Sequence, residues 1–175
     1  MIRPVVDKLI TITHEQVKPL LDAAPHSVDY QAGITIVRLE DISIVNASGL
    51  EYSFYAARVF PQGSNQNYIN PHVHYHGEEA YHFLAGSDGE MSLGRIVDGE
   101  VESWTKGRIS PGDTILIKAR DVHTIRNNGA EPVDFVFACP PSHLIDKSED
   151  EPEGDRVFTK GLEGGVPSWY PPMTH

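Results

Sequence analysis

The sequence predicts an all-β domain, a sheet curled into a barrel, with a short helical segment before it and an irregular tail behind it. Three observations carry that expectation. Runs rich in β-branched and aromatic residues recur through the middle of the chain: Ile34-Thr-Ile-Val-Arg-Leu39, Glu51 to Phe60, Thr114 to Lys118 and Val133 to Ala138. Turn signals separate such runs at Gly86-Ser-Asp-Gly89, Asp98-Gly99, Pro111-Gly112-Asp113 and Asn128-Gly129. Many short strands with frequent turns read as a barrel or sandwich. The third observation is a set of imidazole and carboxylate side chains whose spacing suits strands that point them inward.

Taken in order, the chain divides into three parts. Residues 1–33 form an N-terminal segment in which Thr13 and Gln16 resemble a capping box, and Val17, Leu20, Leu21 and Ala24 have helical spacing. Pro19 spoils a simple helix, so either a kink or a helix beginning at Pro19 is expected. Residues 34–140 carry the strands of the barrel. Residues 141–175 are polar, acidic and rich in Gly and Pro, an extension expected to wrap the barrel or cover its mouth without regular structure. No internal repeat is present.

Composition narrows the function. A chain of 175 residues is usually one domain with a real core. A formal net charge of −11 argues against nucleic acid or an anionic membrane surface as partner, and the partner expected is a small-molecule substrate. No apolar run approaches the ~20 residues needed to cross a bilayer. Met1-Ile-Arg-Pro-Val-Val-Asp7 lacks the pattern of a signal peptide, and Cys139, the single cysteine, leaves no internal disulfide. The expectation is a soluble cytoplasmic protein.

His72, His74, Glu79 and His123 form the candidate metal site. His72 and His74 are two apart, so on an extended strand both leave the same face. Glu79 has the wrong parity for that strand, but Gly77 lies between and can reset the facing. On the next strand Glu79, Tyr81 and Phe83 share one face, and Glu78, Ala80 and His82 the other. His123 arrives from a later strand, where it alternates with Ile125 and Asn127. Neutral histidine is a common metal ligand, and its second ring nitrogen needs an acceptor to fix the tautomer.

Two motifs then resemble those of the cupin family, whose fold is a double-stranded β-helix or jelly-roll barrel. The first, G-x5-H-x-H-x3,4-E-x6-G, is matched at His72, His74, Glu79 and Gly86; its opening glycine is missing ahead of Tyr68-Ile-Asn-Pro71. Glu78 also meets the motif's spacing, but Glu79 places Gly86 at the right distance. The second, G-x5-P-x-G-x2-H-x3-N, is matched at Gly112, His123 and Asn127, with Lys118 and Arg120 in place of its internal Pro and Gly. The resemblance covers residues 34–140. It implies one divalent transition metal held by His72, His74, Glu79 and His123, and it implies a homodimer. Nitrogen and carboxylate ligands without thiolate suit Fe(II), Mn(II), Ni(II), Co(II) or Zn(II), and the resemblance puts Fe(II) first because this fold often hosts oxygenase chemistry. A looser resemblance, carried by Glu79-Ala-Tyr81 and a hairpin between the motifs, is to the archaeal cupin-type glucose-6-phosphate isomerases. Ile69-Asn-Pro71 replaces that family's Thr-x-Gly.

Three functions follow as expectations. The first is an Fe(II)-dependent dioxygenase acting on a small oxygenated organic molecule. The second is a metal-dependent isomerase or lyase of a sugar or keto acid. The third is a non-catalytic small-molecule-binding cupin. Tyr81 is the candidate catalytic residue, able to donate a hydrogen bond or a proton in the cavity; an aromatic core residue is the alternative. His76 is expected in a solvated turn, His82 in a structural position, and Cys139 as a small buried hydrophobe. The acidic run from Ser148 to Asp155 is expected as a solvated loop, and Asn127 as a turn residue that bonds backbone groups.

Overall fold

Two helices open the chain in the computed structural model, which describes residues 2–24, 28–29, 34–64 and 66–171: α1 (Arg3–Leu9) and α2 (His14–Ala23). Helix α1 was not anticipated. It is short and begins at a Pro-containing first turn, with only Val5 and Leu9 buried, so its periodic signal spans barely two turns. Helix α2 has the expected capping interaction, the Thr13 N–H donating to Gln16 Oε1 at 2.8 Å. It starts at His14 and continues through Pro19, so of the two alternatives the helix beginning at Pro19 is not the one that forms. Tertiary packing of Val17 and Leu21 outweighs the hydrogen bond that Pro19 cannot make. Most of the stretch between Ala24 and Ile34 lies outside the described residues.

Among the described residues eleven strands follow: β1 (Val28–Asp29), β2 (Ile34–Val45), β3 (Glu51–Val59), β4 (His72–His74), β5 (Glu79–Ala85), β6 (Gly89–Val97), β7 (Glu100–Ile109), β8 (Thr114–Ile117), β9 (Asp121–Asn127), β10 (Val133–Cys139) and β11 (Arg156–Phe158). They form two sheets with orders β1-β2-β3-β10-β5-β8 and β11-β4-β9-β6-β7. From β3 onward the chain passes back and forth between the sheets, and all named pairings are antiparallel. This is a jelly-roll barrel, a double-stranded β-helix.

Alternation assigns each side chain to a layer. Tyr55, Ala57 and Val59 of β3, Tyr81 and Phe83 of β5, Ile125 of β9, and Val133, Phe135 and Phe137 of β10 point between the sheets and make the main core. The other faces of β3, β5 and β10 carry Phe54, Ala56, Ala80, Val136 and Ala138, which pack under the helices with Val5, Leu9, Val17 and Leu21. Strand β10 is therefore buried on both faces, which explains its near-continuous apolar run. Its one acidic residue, Asp134, is paired with Arg58 on β3 at 2.6 and 2.7 Å and meets His14 Nε2 at 2.9 Å, tying α2 to the sheet. Among the described residues no helix is long and apolar enough to cross a membrane.

The C-terminal extension is more regular than expected. A 3-10 turn (Pro141–Leu144) follows β10, and β11 then adds an edge strand to the second sheet beside β4. Arg156, Val157 and Phe158 sit opposite His74, Val73 and His72. The tail is thus built into the barrel beside the histidine strand.

Candidate metal centre

The site forms where the two sheets face each other. His72 and His74 come from β4 and His123 from β9, adjacent strands in which His72 and His123 are direct partners. Glu79 comes from the first residue of β5 in the opposite sheet. Gly77, at φ +85°, makes the bend between β4 and β5 that lets Glu79 face inward despite its parity. A Cβ there would lie 3.0 Å from the Pro140 ring, so the position favours glycine on contact as well as on conformation.

Ligand-capable atoms of His72, His74, Glu79 and His123 all lie within 4.8 Å of one another, and all four residues are buried. Glu79 Oε2 is 3.1 Å from His123 Nε2 and 3.6 Å from His74 Nε2. The His72 and His123 rings are 4.2 Å apart. His72 Nδ1 lies 2.8 Å from the Asn70 carbonyl, and a carbonyl only accepts, so this nitrogen carries the proton and Nε2 is the lone-pair atom. His123 Nδ1 makes a longer contact of the same kind with the Asp121 carbonyl, at 3.3 Å. Glu78, the alternative carboxylate, is only half-buried and outside the cluster.

The electrostatics suit a cation. Burial, with His123 nearby, pushes His72 down to about 3, and burial drives His74 well below its usual value, so both are neutral donors at physiological pH. Burial pushes Glu79 upward, but the imidazole rings packed round it outweigh that and hold it well below the usual carboxylate range. Both ring nitrogens of His74 and Nε2 of His123 are buried without a hydrogen-bond partner. Unpaired buried polar atoms are costly, and a set of three imidazoles with one carboxylate matches a transition metal. The donor set therefore fits the divalent ion that the motifs imply.

Tyr81 takes the place expected of it beside Glu79. Its hydroxyl donates to Glu79 Oε2 at 3.3 Å, and burial together with the Glu79 charge raises its pKa well above 10, so the phenol keeps its proton. Asn127 bonds the carbonyls of Val59 and Glu131 and accepts from Gly129 N–H, holding a turn. His82 points away from the cavity toward Thr114 Oγ1, at 2.8 Å. His76 is in a bend with its ring exposed, Nδ1 donating to Asp155 Oδ1 at 3.0 Å.

Sequence reasoning missed a further group, contributed chiefly by the C-terminal extension. His143, in the 3-10 turn, stacks on His74 with ring centroids 4.0 Å apart and an interplanar angle of 3°. Its Nε2–H donates to the His76 carbonyl at 2.6 Å, and Nδ1 faces Glu79 Oε1 at 3.6 Å with no hydrogen-bond partner. Parallel rings cannot both hold one ion in their planes, so His143 stands beside the ligand set rather than within it. Burial lowers its pKa, but the Glu79 carboxylate outweighs that and raises it. Asp155, expected in a solvated loop, is buried instead: it accepts from Tyr75 N–H and His76 N–H at 3.1 and 2.9 Å. Cys139 is buried as expected, yet its sulfur lies within 4.8 Å of the Glu79 and His143 donor atoms. Continuing the inward alternation Val133, Phe135, Phe137 would have placed it there. Nothing in the sequence marks His143 or Asp155.

The cavity beside these residues is small. Its walls are Ile34, Ile36, Ile69, Phe135, Phe137 and Leu144, and its polar groups are His72, His74, Glu79, Tyr81, His143 and Arg156. A small apolar pocket with a few convergent polar groups suits a molecule of few atoms.

A double-stranded β-helix with this histidine and glutamate cluster in its interior has the cupin fold. No family model and no curated protein matches the chain. Among solved structures it is similar to a mutant of Bacillus subtilis oxalate decarboxylase, at 18% identity and TM-score 0.50 over 75% of this chain and 31% of that one. It thus spans about a third of that protein's length. Further similarities are to a hypothetical protein from Leishmania major (11% identity, TM-score 0.49, 74% and 82% of the two chains) and to a DMSP lyase from Ruegeria pomeroyi (19%, 0.46, 79% and 58%). At such identities the likeness is one of fold.

Proposed function

We propose that the chain is a metal-dependent enzyme acting on a small oxygenated organic molecule, and in the first instance an Fe(II)-dependent dioxygenase. The observation that carries this is the convergence of His72, His74, Glu79 and His123 on one buried point with unpaired nitrogens. A divalent ion there supplies Lewis acidity and, if it is iron, redox chemistry with O2. The rest is done by the chain. His72 is fixed in one tautomer by the Asn70 carbonyl, and Tyr81 steadies Glu79 by donating to Oε2. Ile69, Phe135 and Phe137 keep water from the reacting molecule. His143, oriented by the His76 carbonyl, presents Nδ1 to the cavity as an atom able to take or return a proton. That last feature favours a second reading, an isomerase or lyase on the same site.

Elemental analysis of protein purified without a chelating column tests this, with His74→Ala as control. About one equivalent of iron, lost in the variant, together with oxygen uptake on catechols, hydroxyketones or thiols, is the expected result. Turnover that persists without oxygen replaces the dioxygenase by the isomerase or lyase. A protein that takes up no metal even on reconstitution overturns the enzyme reading and leaves a binding module.

A further inference from the structure

We infer a second metal position beside the first, made by Glu79, Cys139 and His143 and suited to a thiophilic divalent ion, Zn(II). It shares Glu79 with the proposed centre and goes beyond that reading. Donor atoms of the three residues lie within 4.8 Å of one another, and all three residues are buried. Cys139 ends β10, and the turn at Pro141–Leu144 brings His143 back to within that distance of its sulfur. Glu79 divides its carboxylate between the two positions. Oε2 faces His74 and His123 Nε2 at 3.6 and 3.1 Å, while Oε1 faces His143 Nδ1 at 3.6 Å.

The geometry at His143 points to an ion. Nε2 carries the proton donated to the His76 carbonyl, which leaves the lone pair on Nδ1, and Nδ1 is buried without a hydrogen-bond partner. A lone pair and a carboxylate oxygen facing each other need a cation between them. A separation of 3.6 Å is long for a shared proton, whose hydrogen bonds span ~2.7–3.2 Å. It suits two ligands of a tetrahedral Zn(II), which at ~2.0–2.3 Å from the ion lie roughly 3.3–3.8 Å from each other. The stack on His74 sets the spacing of the two positions. The rings are 4.0 Å apart and 3° from parallel, and an ion bound to an imidazole lies near that ring's plane. Ions in the two planes are thus about 4 Å apart, the ~3.5–4 Å of two-metal sites.

The sulfur sets the ion class, since thiolate with imidazole suits Zn(II). Burial and the Glu79 charge keep Cys139 a thiol in the metal-free fold. Binding therefore forms a sulfur–metal bond, breaks the S–H bond and releases the proton to solvent. The neighbouring group of His74, His143 and Asp155 offers no such position, because His143 Nε2 is taken by the His76 carbonyl and Asp155 accepts from Tyr75 and His76 N–H. An ion on Nδ1 also excludes proton exchange there, so the two uses of that nitrogen compete.

Titration of reduced, chelator-treated protein with Co(II), a coloured stand-in for Zn(II), tests this. A cobalt–thiolate bond gives a near-ultraviolet charge-transfer band, and Cys139 is the single cysteine that can produce it. The wild type should take up two equivalents and show the band. Cys139→Ala should lose the band and one equivalent while keeping the other. His143→Phe, which retains a ring against His74, should do the same. His72→Ala should do the reverse, keeping the band and losing the other equivalent, and Glu79→Ala should weaken uptake at both positions. The wild-type titration stands even if a variant fails to fold. Saturation without the band, at one equivalent or two, overturns the second position and leaves the first. A single equivalent that carries the band supports the second position and counts against the first. No uptake at all overturns both. A band undiminished in folded His143→Phe or folded Glu79→Ala overturns the assignment of that residue as a ligand, and the proposal with it.

Discussion

His74→Leu should make the metal-free protein more stable and the metal-loaded protein less so. In the folded chain His74 is 3% exposed and neither ring nitrogen has a hydrogen-bond partner. Each such atom costs about 1–3 kcal/mol. Leucine of similar volume removes both at the loss of the stack on His143, about 0.5–1.5 kcal/mol. The difference is a gain of about 0.5–5.5 kcal/mol for metal-free His74→Leu, read as a higher urea midpoint in chelator at pH 7.5. Metal acts the other way. An ion at a hundred times its Kd stabilises the wild type by about 2.7 kcal/mol, and a variant short of one ligand should gain much less. The order of the two proteins should therefore invert between chelator and metal. If the variant is the less stable of the two in chelator, or gains as much from metal as the wild type does, the reasoning from unpaired nitrogens to a metal site is wrong.

Other consequences can be checked on the same protein. Since His72 is pushed to about 3 and His74 well below 6.5, the unfolded chain binds protons that the folded chain refuses as pH falls. Metal-free stability should drop below pH 6.5 by about 1.4 kcal/mol per pH unit for each histidine, with Glu79 adding to the loss below pH 4.5, its carboxylate being held low in the fold. A urea midpoint that stays flat from pH 7 to 5 would contradict this. Gly86→Ala should destabilise by about 2 kcal/mol or more, because φ is +88° and a Cβ would lie 2.6 Å from the Pro132 carbonyl oxygen; thermal melting at neutral pH reads it. Asp155→Ala strips the acceptor from Tyr75 N–H and His76 N–H and should cost about 2 kcal/mol, seen in urea unfolding. In the folded protein Cys139 should resist a thiol reagent and react only after unfolding, since burial and the Glu79 charge raise its pKa well above 9.

What could be seen in the sequence follows from what is local. The parity of His72 and His74, the reset at Gly77 and the shared face of Glu79 and Tyr81 are properties of consecutive residues, and the structure arranges them as their alternation requires. The barrel was legible for the same reason, since Val133, Phe135 and Phe137 alternate into one core. Arg120 shows how far a motif can bend without losing its histidine. It stands where the second motif has glycine and adopts φ +70°, and its N–H bonds the His74 carbonyl at 2.8 Å, so the backbone keeps the turn at the cost of some strain. What stayed hidden depends on contacts distant in sequence. His143 reaches the site because a 3-10 turn returns the chain over the barrel end, and Asp155 is buried because two backbone N–H groups eighty residues earlier need an acceptor. Arg156 is inward only because β11 pairs with β4 in a register that no local pattern announces. The candidate metal ligands are thus written into two short motifs, while His143, Asp155 and Arg156 are placed by how the C-terminal extension docks.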